Sequence, residues 1–263
     1  MVGYKILKRK IIFFLALEGG FFNKSPQLFY YPYSFLYARL FSFKPSSIRG
    51  AVLSLVKDGL VDKIYKDKMA LFRLTSKGRD ILLSFFQVTL GLKTGWDGAW
   101  RLVLIKEKGN KELELKKVRQ ILKHLGFRKF SRGIYFSPLK VEDKLKNTLL
   151  EERISAKIAV IKTGEMFLID NQELANQFWA LEGITRDFNS LISRSSGLLR
   201  RFKHRKRLTD KGKNEFFLIL DFYFTLLERT PAIPKNLVFN EIPLVLAQKA
   251  VLGLCLEAKK YGL

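Results

Sequence analysis

The stretch from Pro45 to Leu74 constrains the fold more than any other part of the chain. Pro45, Ser46 and Ser47 read as a helix start, with a hydroxyl available to accept an orphan backbone N–H. Ile48, Ala51, Val52, Leu55 and Val56 then fall on one apolar stripe, and Gly59 is a natural stop. The other face carries Ser47, Gly50, Ser54 and Lys57, with Arg49 toward its edge. Two short strands are expected over 60–65 and 70–74, around a turn-like Lys66, Asp67 and Lys68. A last helix opens at Thr75 and runs through Phe86.

Upstream, Ile6, Leu7, Ile11, Phe14 and Leu15 predict an amphipathic helix over 4–17. Residues 19–34 hold Gly19, Gly20, Pro26 and Pro32 among aromatics and read as an interrupted, loop-containing stretch, followed by a helix over 34–41. Helix, helix, helix, hairpin, helix is the order of a winged helix-turn-helix, expected here as a domain over 1–90. Such a module suits duplex DNA, because a helix fits the major groove and cations on the hairpin meet phosphates. The candidate contacts are Ser46, Ser47, Arg49, Gly50, Ser54 and Lys57 on the helix, with Lys63, Lys66, Lys68 and Arg73 on the wing.

Composition agrees with a polyanionic partner. The formal charge is +24, from 48 basic and 24 acidic residues, and the excess is present in every third of the chain. With hydrophobic content of 48% and 23 phenylalanines, the chain has ample material for cores. Its single cysteine, Cys255, excludes an intramolecular disulfide and any multi-cysteine zinc site. His124 and His204 have no partner at ligand spacing, so neither a metal nor another cofactor is expected. Lys8, Arg9 and Lys10 before the apolar run 11–17 mimic part of a signal peptide, but Glu18 ends that run early. No membrane span is expected, and the reading is of a cytoplasmic protein.

After a linker over 91–95, Trp96, Asp97, Gly98, Ala99, Trp100 and Arg101 form an aromatic turn that launches a strand over 100–105. A helix over 113–125 ends at Gly126; a second strand region covers 127–137 and ends at Pro138. A helix over 141–152 and strands over 154–162 and 166–169 complete the pattern. Strand-helix-strand-strand-helix-strand predicts a ferredoxin-like domain over 96–170. Beyond it, Leu174, Phe178, Leu181, Ile184, Phe188 and Leu191 predict one long helix over 172–194. Further helices over 214–228 and 244–259 make 171–263 a helical C-terminal domain, and the whole an α+β protein. Between these helices Arg200, Arg201, Lys203, Arg205, Lys206 and Arg207 form a basic run, readable either as a solvated loop or as additional phosphate contacts.

The chain resembles the PaaX family of bacterial repressors, named for control of phenylacetate catabolism. The resemblance rests on the 48–61 helix, the 96–105 strand, Leu125, Gly126 and Phe127 leading to Ile134, Tyr135, Phe136, Ser137 and Pro138, and Phe222, Leu226 and Leu227 before Pro231 and Pro234. It implies an N-terminal winged helix, a middle domain similar to the CRISPR adaptation endoribonuclease fold, and a helical C-terminal domain. It also implies a homodimeric repressor that binds operator DNA and is released by an aryl-CoA effector. Family members commonly carry Arg where Ser54 stands, so that contact is missing or is supplied by Arg49. A nuclease of the related CRISPR fold would place Asp where Lys106 follows the strand. Paired carboxylates there would hold a divalent metal, and a lysine repels one. Glu107, one residue on, points to the opposite face of an extended strand. The leading expectation is therefore a DNA-binding repressor and not an enzyme. Its alternatives are a metal-dependent nuclease of the CRISPR adaptation type and a non-specific nucleic-acid-coating or partner-docking protein.

Overall fold

The computed structural model describes residues 2–19, 29–85, 95–106, 112–164, 169–204, 209–238 and 241–263. The chain is α+β and divides into two compact units, one comprising Met1–Phe86, Arg186–Arg229 and Pro243–Leu263, the other Gln87–Thr185 and Thr230–Ile242.

The first unit is built around α1 (Val2–Glu18). From Ile11 to Leu17 every side chain is buried, so this half of the helix is apolar all round rather than striped. The reason is cover on more than one side. Besides the N-terminal elements, α9 (Asp210–Arg229) packs on it, with the Phe13 ring edge-on to Tyr223 at 5.9 Å and to Phe224 at 5.2 Å. At the rim of this packing Lys10 pairs with Asp221, and Arg9 with Glu228 at 3.1 Å. The apolar run that resembles a leader segment is thus part of a core.

Around α1 the chain forms β1 (Tyr31–Pro32), α2 (Tyr33–Arg39), α3 (Pro45–Lys57), β2 (Val61–Lys66), β3 (Met69–Leu74) and α4 (Ser76–Phe85), with strand order β1-β3-β2. The sequence pattern did not foresee β1. It is two residues long, held by pairing of Tyr31 with Phe72 and Pro32 with Leu71, and its proline is tolerable only at a sheet edge. The start of α3 also differs from expectation. Lys44 is the N-cap and Pro45 occupies the first turn, so Ser46 and Ser47 lie inside the helix and no side chain caps it. Its end is as expected: Gly59 takes φ +71°, its N–H reaches Val56 O, and the Leu60 N–H reaches Leu55 O. This is a Schellman close with Leu55 and Leu60 both buried.

The second unit holds β4 (Trp100–Ile105), α5 (Glu112–His124), β5 (Arg128–Ser131), β6 (Ile134–Ser137), α6 (Glu142–Glu151) and β7 (Ile158–Thr163). The sheet is antiparallel with order β5-β6-β4-β7, the ferredoxin-like arrangement. One face buries Val103, Ile105 and Tyr135 against Leu115, Val118 and Leu122 of α5 and Leu145 of α6. The other carries Trp100 and Phe136 against Phe178 and Trp179 of α7 (Asn171–Trp179), and the Trp100 indole donates to Asn171 Oδ1 at 2.6 Å. The strand expected over 166–169 lies largely outside the described residues.

The single helix expected over 172–194 is two. Ala180 is left-handed, with φ +50°, and separates α7 from α8 (Leu181–His204). Asn176 stabilises the break: its Oδ1 accepts the Glu182 N–H at 3.1 Å and its Nδ2 donates to Glu182 Oε1 at 2.8 Å. A 3-10 turn (Lys235–Leu237) and α10 (Leu244–Lys259) follow α9. The two compact units thus share the residues of 171–263 between them.

Candidate nucleic-acid interface

The core stripe of α3 fixes what its outer face can present. Ile48, Ala51, Val52 and Leu55 are buried, which turns Ser46, Ser47, Arg49, Gly50 and Lys57 to solvent. Leu53 lies among them and is 50% exposed. Arg49, Leu53 and Lys57 follow one another at four-residue steps and so share a face. Leu53 was missed in the sequence because apolar residues are abundant in this helix; its signal is that it falls off the core stripe. Among the described residues no other part of the chain comes within 4 Å of where a Gly50 Cβ would stand, so packing does not require a glycine there. Ser54 is placed differently. It is half-buried and accepts a hydrogen bond from Lys8 Nζ of α1 at 2.6 Å.

The region expected to be a wing is the β2–β3 hairpin, whose two-residue tip, Asp67 and Lys68, has positive φ at both positions, +48° and +62°. That is the turn compatible with strand twist, although it prefers glycine or asparagine. Lys66 and Lys68 are exposed at this tip. The other two candidate cations are engaged. Lys63 Nζ lies 4.6 Å from the centre of the Tyr65 ring. Arg73 pairs with Asp62 at 3.0 Å and lies over the Tyr30 ring at 4.6 Å, while Tyr30 donates to Asp62 Oδ2 at 2.6 Å. The Tyr30 hydrogen bond, with that from Arg73, holds the Asp62 carboxyl below its ordinary range. Burial raises the Tyr33 hydroxyl above its usual value.

Behind the wing, Gly78 is a packing glycine. A Cβ there would stand 2.2 Å from the Leu60 carbonyl oxygen and 2.6 Å from Leu74 Cδ1. The Gly78 N–H donates to Thr75 Oγ1, and that hydroxyl in turn donates to Gly59 O at 2.8 Å, so one threonine links the end of α3 to the start of α4.

Of the basic run, Arg200, Arg201 and Lys203 are exposed near the end of α8, with Arg201 and Lys203 in its last turn, where cations complement the helix dipole, and Phe202 between them is buried. Arg201 pairs with Glu215 at 2.6 Å. Arg205, Lys206 and Arg207 lie outside the described residues.

In the second unit the aromatic turn is a clamp. The Asp97 carboxylate accepts from the Ala99 N–H and from both terminal nitrogens of Arg101, at 2.7 and 2.5 Å. Arg101, fully buried, also donates Nε–H to Glu142 Oε1 at 2.7 Å. The bonds from Arg101 hold the Asp97 carboxyl far below its ordinary value. Lys106 follows directly on β4 with its N–H bonded to Lys157 O at 3.2 Å, and Glu107 lies outside the described residues. Among the described residues no three His, Cys, Asp or Glu gather into a set that could hold a metal, and no helix is long and apolar enough to cross a membrane.

These features define the class first: a mixed α+β protein in which a basic helix-and-hairpin surface accompanies a ferredoxin-like domain. The particular relationship comes from that domain. Residues 93–175 match the PaaX protein central Cas2-like domain, so in its central region the chain is PaaX-like. A solved structure described as uncharacterized protein Rv0674 from Mycobacterium tuberculosis shares the fold over 84% of this chain and 85% of that chain, with a TM-score of 0.53 and 18% identity. No curated protein matches the chain in sequence.

Proposed function

We propose that the protein is a PaaX-like transcriptional regulator, a repressor that binds operator DNA as a homodimer and acts by binding rather than catalysis in the cytoplasm. Residues 1–90 serve as its winged helix-turn-helix reader. In this reading α3 enters the major groove. Arg49 contacts base edges, Leu53 contacts an apolar edge such as a thymine methyl, and Ser46, Ser47 and Lys57 contact the flanks. Lys66 and Lys68 hold phosphates from the wing, and Arg200, Arg201 and Lys203 are further phosphate contacts. An aryl-CoA effector rests on the resemblance alone.

The observation that carries this reading is Gly50. An exposed glycine in the middle of a helix costs about 1 kcal/mol relative to alanine, and among the described residues nothing occupies the space its Cβ would need. Close approach of another backbone, here that of DNA, accounts for it. Selection of bound sequences from a random duplex pool tests the proposal: an enriched two-half-site motif is expected, and uniform retention contradicts it.

A further inference from the structure

The ferredoxin-like sheet buries one face against α5 and α6, and the cross-strand register fixes what the other face presents. Residues paired across neighbouring strands project to the same side. One rung of this second face is Phe136, Leu102 and Ile161, and the next is Ile134, Leu104 and Ala159. α7 covers Phe136 and Trp100 through Phe178 and Trp179. The aliphatic positions beyond it are not closed over. Ile161 is 46% exposed, Ala159 is exposed, and Leu102, Leu104 and Ile134 are half-buried. Three strands at about 4.8 Å spacing make this strip roughly 10 Å across, the width of one helix.

The charged border of the strip has one sign. Lys106 and Lys157 form the next rung and are exposed, and Arg128 of β5 lies opposite Phe136 on the same face. No described position of this face is acidic. Among the described residues Arg128, half-buried, has neither a hydrogen-bond nor an ion-pair partner; burial lowers its pKa and no carboxylate opposes that shift. A partly desolvated guanidinium without an acceptor is unfavourable, and an incoming carboxylate relieves it.

These features discriminate between occupants. A second copy packed by the same face would bring cations and no carboxylate. Stacked bases need exposed rings, whereas the centre of the strip is aliphatic, and Phe130 at its edge is already stacked on Phe178 at 5.4 Å. A helix with an apolar stripe and acidic flanks matches both the strip and its border. α7 shows that this sheet face accepts a helix. We propose that the face is the docking site for an acidic amphipathic helix of a partner protein, its apolar stripe on Leu104 and Ile161 and a carboxylate on Arg128. The proposal concerns the second unit alone and stands whether or not α3 reads DNA.

Fluorescence anisotropy of the full chain with a labelled helical peptide, leucines at every third or fourth position and glutamates elsewhere, tests it. The controls are a peptide of the same composition in scrambled order, which keeps the charge and loses the stripe, and a labelled polyuridine RNA. The patterned peptide is expected to bind at least about tenfold tighter than the scrambled one. Ile161→Gln, at an exposed edge position, and Arg128→Gln, which removes an unpartnered charge, are each expected to weaken that binding about tenfold with an unchanged circular dichroism spectrum. Equal binding of the two peptides, or unchanged affinity in either folded variant, overturns the proposal. RNA binding that these variants weaken, or a dimer in sedimentation that Ile161→Gln dissociates, also overturns it, because the face then serves nucleic acid or a second copy.

Discussion

Lys8 of α1 donates to the Ser54 hydroxyl of α3 at 2.6 Å and reaches Asp58 at 3.3 Å. The contact ties the proposed reading helix to the helix at the centre of its unit and engages a hydroxyl that the sequence pattern offered to DNA. Ser54→Ala is therefore expected to cost about 1 kcal/mol of stability and to leave sequence preference intact. Leu53→Ala, on the exposed face, is expected to do the opposite. Denaturant melts and competition binding on the two variants separate these effects; a changed preference in Ser54→Ala contradicts the assignment.

Gly50→Ala is expected to stabilise the fold by roughly 0.5–1 kcal/mol, because alanine is the better helix former and its methyl meets nothing. The same methyl is expected to weaken DNA binding. Gly78→Ala is the internal contrast: its Cβ would collide with the Leu60 carbonyl, so it is expected to lower the melting temperature. Thermal melts beside binding titrations check both glycines.

At the wing tip, Lys66→Ala is expected to weaken binding to all duplexes alike and to reduce the salt slope by about one. Lys68→Gly relieves a left-handed lysine in the turn. It is expected to stabilise the hairpin while removing a phosphate contact. Binding titrations across a salt series show whether either variant alters sequence preference, which neither is expected to do.

Much of the second unit was legible in the sequence because its signals are local. Gly126 ends α5 with φ +85° and the Schellman pairing of Phe127 N–H with Leu122 O, and the apolar period placed β4, α5 and α6 closely. What was not legible depends on distant partners. β1 exists through its pairing with Phe72, and the all-round burial of α1 depends on Tyr223 and Phe224. The break at Ala180 requires an alanine in a conformation the period cannot reveal. At the candidate interface the sequence supplied most exposed residues, but not the pairing of Arg73 with Asp62, of Ser54 with Lys8, or the exposure of Leu53.

The aromatic turn gives a pH dependence whose sign is fixed. Arg101 lowers the folded-state pKa of Asp97 below its unfolded value. The resulting stability is present above the ordinary carboxylate range near pH 4 and is lost as pH falls through the folded value. Asp97→Asn is expected to melt at a lower temperature than wild type at pH 7, with the gap shrinking below about pH 4. A gap that stays constant or widens on acidification contradicts the linkage.

The central claim is that the outer face of α3 reads sequence. Titration of wild type and Arg49→Ala against the selected duplex and a scrambled duplex tests it most directly. The account predicts that wild type prefers the selected site and that Arg49→Ala loses about 1–3 kcal/mol on that site, with a much smaller loss on the scrambled one. An equal loss on both duplexes would make Arg49 a phosphate contact only and contradict the reading.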